Sequence, residues 1–537
     1  MEYIPYNKSN QNVKLIIKAW WLVDCKALFQ CGRNLFSLLA RILGIEVEVM
    51  IEALRSRGLR LNLFSKDELY EIHLATLDVL ERVGVGIYND QGLKLMDEAG
   101  AIVDYAKKVV KIPQHLLKAL IAKAPEVVTL YARNSKHTVK LKPGGKTYFN
   151  NSSYGIKVYD LHTGMQRDST SGDVANFARL TNALENIHVY LPTVTAHDIP
   201  EYVRSLHELA IALDNTEKHV SHAASGADAI KRYLQIGATI VGGEEELRKK
   251  PVISASTCPI SPLQHSKEDT ETLIEFAKFG LPFFILSMAM GGGTAPLTIA
   301  GELVVINAEV LSGIALVQLV NPGTPVLYGS VSSTMDMKTG KLALGAPERS
   351  LINSGCAQLA RYYKIPSWIG ACSTDAKVLG SQAMFEKVMT AIIPMLAGAN
   401  LIYGPALLDS GKTYSFEQLV LDNEVIGALY RILKGVNVNA DSLALEVIEK
   451  VGIGGHYLAQ KHTSDHVLSD QWRPNLLDRG SMGDWIKKGR KDINEVARER
   501  AKKILASHEV EPLEKDVRKE MWEIVEKAKG DLKKIKQ

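Results

Sequence analysis

The chain has 537 residues, 46% of them hydrophobic, with 64 Lys and Arg against 60 Asp and Glu for a formal charge of +4. Such a composition excludes a predominantly disordered chain, and near-balanced charge offers nucleic acid no attracting field. The length suits two or three domains, or one α/β barrel with additions. The five cysteines (Cys25, Cys31, Cys258, Cys356 and Cys372) are odd in number and include no C-x-x-C pair, which fits a reducing cytoplasm better than a disulfide framework.

Residues 1–60 hold nine Lys/Arg and five Asp/Glu, which accounts for the whole net charge. Residues 13–43 are apolar and basic, but Lys14, Lys18, Asp24, Lys26, Arg33 and Arg41 break every run short of a membrane span. Residues 1–55 are therefore expected to be a poorly ordered or amphipathic extension, or a segment that is not translated. The globular part opens naturally after Met50. Residues 56–185 are expected to be helical and then β-hairpin. Leu69, Ile72, Leu77 and Leu80 form a helical stripe, and around residues 138–168 the period changes between Pro143-Gly144-Gly145 and His162-Thr163-Gly164.

From residue 186 a new rhythm begins. Apolar runs at residues 189–194, 219–223, 252–256, 283–287, 326–330, 368–372 and 401–403 alternate with helical patterns. These seven strand–helix units, with an eighth expected within 435–463, predict a parallel (β/α)8 barrel over residues 186–483. Capping signals at Ser266 and Ser415, and Pro296 and Pro347 in first-turn positions, support the helix starts. Residues 484–537 predict a charged helical layer. Three uncharged stretches, 279–301, 310–335 and 388–408, are long enough to cross a membrane, but each carries internal Gly or Pro breaks and is expected to be a buried strand joined to a helix.

A barrel places its active site at the C-terminal strand ends. His222, Tyr328, Ser330, Ser373, Asp375 and Tyr403 fall there, with His197, Asp198, Ser225, Thr257 and Cys258 nearby. Asp409-Ser410-Gly411-Lys412-Thr413 imitates the end of a P-loop, but the nearest upstream glycine, Gly404, gives the wrong spacing. Gly291-Gly292-Gly293 fits a close ligand approach or a tight turn. His222, Cys258 and Cys372 are a possible zinc set without short-range ligand spacing. Glu417 is either a helix-dipole partner or a group facing a cation, and Tyr154, Tyr328, Tyr403, Tyr414 and Phe416 could cage a quaternary ammonium or simply pack.

Six segments carry a resemblance to a known family: LNLFSKDELYEIHLATLDVL, SMAMGGGTAPLTIAGELVVINAEVLSG, GSVSSTMDMKTGKLALGAPE, STDAKVLGSQAMFEK, AGANLIYGPALLDSGKTYSFEQLVLDNE and LLDRGSMGDW. They resemble the trimethylamine:corrinoid methyltransferase family, over about residues 60–530. The resemblance implies a (β/α)8 TIM barrel that moves a methyl group from a methylated amine to the Co(I) corrinoid of a separate small protein. Archaeal trimethylamine enzymes of this family carry pyrrolysine just before a Ser-Asp-Ala-Lys stretch. The matching stretch here is Thr374-Asp375-Ala376-Lys377, so Ser373 stands at the pyrrolysine position, and Ser373 and Asp375 become the catalytic candidates. His222, Tyr328, Ser330, Tyr403 and Glu417 become the substrate-binding candidates.

Members without pyrrolysine resemble quaternary-amine demethylases, for which glycine betaine is the best-known substrate. The chemistry agrees. A quaternary ammonium departs as a neutral amine when its methyl carbon is attacked, whereas a free tertiary amine needs activation first. The barrel then needs only to hold the cation, aim a methyl group and exclude water. No Asp-x-His-x-x-Gly cobalt-ligand pattern is present, since Asp160-Leu161-His162-Thr163-Gly164 is one residue short. No cofactor is therefore expected to bind tightly, and the corrinoid is expected on the partner protein. No metal, nucleic acid or membrane is expected, the cysteine pattern points to the cytoplasm, and the family resemblance implies a homo-oligomer. The alternatives are trimethylamine demethylation without pyrrolysine, a zinc-dependent thiol or alcohol methyltransferase, and a non-catalytic barrel that binds methylated amines or scaffolds the corrinoid protein.

Overall fold

Short apolar runs bounded by turns form eight parallel strands: β1 Tyr148–Asn150, β2 Val189–Tyr190, β3 His219–Ser221, β4 Ile253–Thr257, β5 Phe283–Ser287, β6 Val326–Ser330, β7 Ser367–Gly370 and β8 Leu401–Tyr403. They pair in chain order, and β8 closes on β1 to complete a barrel. The closing register runs through Gly370↔Tyr403, Tyr403↔Asn150 and Asn150↔Val189. A helix follows each strand: α1 Ser171–Ala183, α2 Glu201–Asn215, α3 Ala227–Val241, α4 Lys267–Phe279, α5 Ile299–Val320, α6 Pro347–Tyr362, α7 Ser381–Ala397 and α8 Phe416–Leu433.

The structure is a computed structural model that describes residues 59–222 and 227–535. The N-terminal extension, with Cys25 and Cys31, and Ser225 lie outside the described residues. The described residues fall into two compact units, one of residues 60–433 with 461–535 and another that includes residues 434–460. The described part of the second holds two short helices, Ala440–Leu443 and Leu445–Val451, the first opened by an Asn439 capping box.

The expected eighth strand within 435–463 is therefore absent among the described residues. The barrel is completed from the other end of the sequence, by Tyr148–Asn150, inside the region expected to be a hairpin. The core accordingly spans residues 148–433, not 186–483. The true hairpin of that region, Lys157–Tyr159 with Gln166–Asp168, is an insertion between β1 and α1.

Strand alternation sorts the side chains. Phe284, Leu286, Leu327, Trp368 and Leu401 fill the lumen as one buried cluster. The antiparallel pair Val128–Leu130 and Val139–Leu141 joins that cluster from the N-terminal end of the strands and plugs it. His219 at the start of β3 contacts the Tyr131 carbonyl at 2.8 Å through Nδ1, and Asn400, just before β8, donates to Lys142 O at 2.6 Å, which ties the plug in place. At the opposite end, two small sheets frame the mouth. One joins Leu407–Leu408 and Thr413–Ser415 to the β1–α1 hairpin, and the other joins Met290–Gly291, Ser333–Asp336 and Lys341–Leu342.

Helix α5 has 22 residues and a mean hydropathy of 2.1 over its most apolar stretch, so it is long and apolar enough to cross a membrane by length and composition. Within this fold 78% of that stretch is buried, because helices Lys66–Asp78 and Gln114–Ile121 cover one side while α4, α6 and β5 cover the other. The three uncharged stretches thus resolve into strand–helix junctions, as their internal breaks suggest. The C-terminal layer consists of α9 Ile493–Ser507, packed on α8 and α1, and α10 Lys515–Ile535, packed on α2 and α3.

Lys218, just before β3, is buried and donates to the carbonyls of Thr181, Leu184 and Ile187. It gathers carbonyls at the end of α1 and in the turn that follows into one cap, while burial pulls its pKa down to about 7. Lys218→Ala is expected to destabilise the fold by ~3 kcal/mol, measured as a shift in urea midpoint at unchanged slope.

Candidate active site

The chain leaving β7 is held unusually. Cys372 takes a left-handed backbone at φ +51°, a conformation that persists only where its surroundings enforce it. Lys387 of α7, fully buried, supplies that enforcement. Its Nζ donates to Cys372 O at 3.0 Å, to Gly404 O at 3.4 Å and to Asp422 Oδ2 at 2.9 Å. Asp422, equally buried on α8, also accepts from Ala406 N at 2.7 Å and Gln418 Nε2 at 2.8 Å. One ion pair thus fixes the exits of β7 and β8 together.

Ser373 lies next, wholly buried. Its N–H donates to Thr390 Oγ1 at 3.0 Å and its hydroxyl to Ala371 O at 3.0 Å. Asp375 is an anchor: it accepts from Leu344 N and Gly345 N, each at 2.8 Å, and from Ser410 Oγ at 2.7 Å. The carboxylate thereby joins the loops after β6, β7 and β8. The P-loop-like segment is this buttress, with Ser410 turned onto Asp375 and Asp409 N donating to Ala376 O at 2.7 Å.

The inward side chains near the mouth are aromatic and amide. Tyr403 meets Trp368 edge-to-face, with ring centroids 5.5 Å apart and an interplanar angle of 89°. Trp368 Nε1 donates to Asn150 Oδ1 at 2.9 Å, and the Tyr403 hydroxyl accepts from Ser153 N at 3.1 Å. On the β3 side His222 stacks on Tyr154 at 5.9 Å, and its Nε2 lies 3.1 Å from Glu208 Oε2, close enough for an ion pair but misaligned for a hydrogen bond. Glu208 is itself fixed by Ala196 N at 2.8 Å.

Two further charged groups sit at the rim between β5, β6 and β7. Arg349 of α6 is 2% exposed, and its Nη1 donates to Val331 O at 2.8 Å and Ser332 O at 3.1 Å. Gly370 points inward beside Tyr403, and a Cβ there would collide with Arg349 Nη2. Glu302 of α5 is fully buried, and neither carboxyl oxygen makes a hydrogen bond. Burial pushes its pKa up to about 8, against the opposing pull of the Gly291 backbone N–H and the Arg349 guanidinium. A side chain on Gly291 would strike this carboxyl, so the first of the three glycines permits a close approach while Gly292, at φ +84°, makes the turn.

The predicted site residues therefore separate. Tyr403 faces the lumen, His222 lies at the β3 exit, and Ser373 and Asp375 follow β7. Tyr328, Ser330 and Glu417 do not face the mouth. Strand alternation turns Tyr328 outward, where its hydroxyl donates to Asn307 Oδ1 at 3.0 Å and its ring stacks on Tyr363. Ser330, with the same parity, faces Cys356 on α6. Glu417 accepts from Ser415 Oγ at 2.7 Å and pairs with Arg498 of α9 at 2.9 Å, which makes it a packing ion pair at the start of α8. His222, Cys258 and Cys372 do not converge as a metal-ligand group among the described residues. Arg349, Glu302, Lys387 and Glu208 were not singled out from sequence. Two of them had a readable signal: Glu302 and Lys387 are charges set into otherwise apolar helix faces.

The family profile described as trimethylamine methyltransferase matches residues 41–533. A trimethylamine methyltransferase from Methanosarcina barkeri is 41% identical over 475 residues, covering 88% of this chain and 96% of the relative. The chain belongs to the trimethylamine methyltransferase family. Within that family a glycine betaine methyltransferase from Desulfitobacterium hafniense is 34% identical over 450 residues, covering 83% of this chain and 93% of the relative. Among solved structures, the monomethylamine methyltransferase of Methanosarcina barkeri aligns at 12% identity with a TM-score of 0.48, covering 89% and 92% of the two chains. As a member of the trimethylamine methyltransferase family the chain is a methyltransferase, and its closed barrel is the scaffold on which the residues above are arranged.

Two stability measurements follow from the site. With its pKa raised from 4.5 to about 8, Glu302 retains a proton in the fold that the unfolded chain releases, so stability falls as pH rises from 4.5 to about 8. Glu302→Gln is expected to stabilise the protein on the order of 2–4 kcal/mol at pH 8 and by little at pH 5, read from urea midpoints at the two pH values. Asp422→Ala strands Lys387 without its counter-ion and is expected to cost ~3–5 kcal/mol, whereas the joint Lys387→Met/Asp422→Leu change costs less than the single one.

Proposed function

We propose that this methyltransferase takes a methyl group from a quaternary amine, such as glycine betaine, and passes it to the Co(I) corrinoid of a separate protein. The observation that carries this reading is at residue 373. The position that follows β7, where the founding members carry pyrrolysine, is a serine whose hydroxyl is already committed to Ala371 O. It leaves no electrophile to activate a tertiary amine, so the donor must arrive with its leaving group already charged.

The mouth suits such a donor. The perpendicular Trp368 and Tyr403 rings offer a π face that holds a methylated cation more strongly than its departing neutral amine. Water is excluded by the small sheets around the mouth, and the methyl carbon is aimed outward, where the partner's cobalt attacks. Around that opening Ile156, Met165, Ile260, Met288, Leu297 and Met337 are large apolar side chains exposed on the loops that follow the strands, which suits docking of a partner protein. The relative named as a glycine betaine methyltransferase supports the choice of substrate class.

The test is visible spectroscopy of the purified enzyme with a corrinoid protein reduced to Co(I). Conversion to methyl-Co(III) is expected with a quaternary amine and not with trimethylamine, and Ser373→Ala is expected to retain most of the rate. Conversion with trimethylamine at a comparable rate would overturn the leaving-group argument.

A further inference from the structure

The buried cations Lys218 and Lys387 are both satisfied, one by three carbonyls and the other by Asp422. Arg349 is not. Its guanidinium is buried at the rim of the lumen with no carboxylate within 4.0 Å among the described residues, and its Nε has no acceptor. Asp375 and Glu302 act on it only from a distance, and burial still pulls its pKa down to about 10. Asp375 spends its oxygens on Leu344 N, Gly345 N and Ser410 Oγ, and Glu302 holds its proton at neutral pH. A buried charge with no counter-ion in contact is costly, so an anion placed against its open edge would be favoured. Val331 O and Ser332 O hold the guanidinium by one edge only, which leaves Nε free and sets Nη2 over the inward face of Gly370. Gly370 is in register with Tyr403, so the unpaired edge borders the aromatic corner.

We propose that Arg349 is the receptor for a carboxylate carried by the methyl donor, which makes the substrate an obligate zwitterion. This rests on the quaternary-amine reading above and narrows it. The ammonium end lies against Trp368 and Tyr403 and the carboxylate end takes the free edge of Arg349. Glu302, kept neutral, avoids competing for the guanidinium. The shortness of Gly370 is part of the device, because any side chain there would displace Nη2. Simple quaternary amines lack the second anchor and are poorly held.

The experiment is calorimetric binding to the full chain without corrinoid protein, so that the methyl donor is the only source of the anion. The probes are glycine betaine, a longer-chain carboxylate betaine and tetramethylammonium, tested against wild type, Arg349→Gln, Arg349→Lys and Gly370→Ala, each checked for folding by circular dichroism. Wild type is expected to bind a betaine more tightly than tetramethylammonium. Arg349→Gln and Gly370→Ala are expected to lose about tenfold or more in betaine affinity with tetramethylammonium unchanged, and Arg349→Lys to lose less. Equal betaine binding by wild type and Arg349→Gln overturns the proposal and leaves the proposed function intact. Tighter binding of tetramethylammonium than of either betaine overturns it as well. Wild type that binds none of the three overturns both.

Discussion

The Lys387–Asp422 pair is the constraint on which the mouth depends. A lysine and an aspartate with no solvent exposure gain from each other only if every remaining lone pair and proton finds a partner. Here those partners are the carbonyls and amides of the two loops that leave β7 and β8, so the pair cannot be satisfied unless the loops take one conformation. The left-handed turn at Cys372 and the burial of Ser373 follow from that requirement, and Asp375, two residues on, ties the same exit to the loops after β6 and β8. Specificity of conformation, more than net stability, is what such a pair contributes.

Around this fixed frame the electrostatics are sparse. The lumen is closed from below by an apolar plug and lined above by rings and amides, so little bulk water screens the charges at the rim. Glu302, whose pKa burial raises to about 8, and Arg349, held by one edge, stand beside an aromatic wall. A quaternary cation and a carboxylate differ in what they need, and the two features offer each to a different part of the same small molecule.

Much of the fold was legible because the barrel obeys a simple rhythm. Seven of the eight strands fall on apolar runs flanked by helical stripes, and Ser266, Ser415 and Pro347 mark helix starts, whereas Pro296 lies ahead of α5, which opens at Ile299 behind Thr298. β1 was hidden because Tyr148–Asn150 is three residues long, bears two hydrogen-bonding side chains, and is followed by a hairpin whose stronger alternation dominates the segment. Site residues were harder. Position at a strand's end was readable, but parity was not: Tyr328 and Tyr403 both stand near strand ends and point to opposite sides of the wall. Arg349 and Lys387 were invisible to a search of strand ends because they reach the mouth from helices. Glu417 shows the converse, a mouth-proximal acid whose partner, Arg498, lies 81 residues along the chain where no local pattern connects them.

The all-round burial of α5 sets a condition on how the chain is made. Its covering surfaces come from helices near residues 66–121, from α4 and β5, and from α6, which ends at residue 362. On the ribosome the N-terminal covering is complete before α5 is synthesised, while the C-terminal covering arrives about forty residues later, a matter of seconds. During that interval one of the most apolar helices in the protein lacks the cover of α6. The barrel and the N-terminal helices therefore cannot mature as independent bodies, and a truncation between residues 320 and 362 would leave the α6-facing side of α5 uncovered.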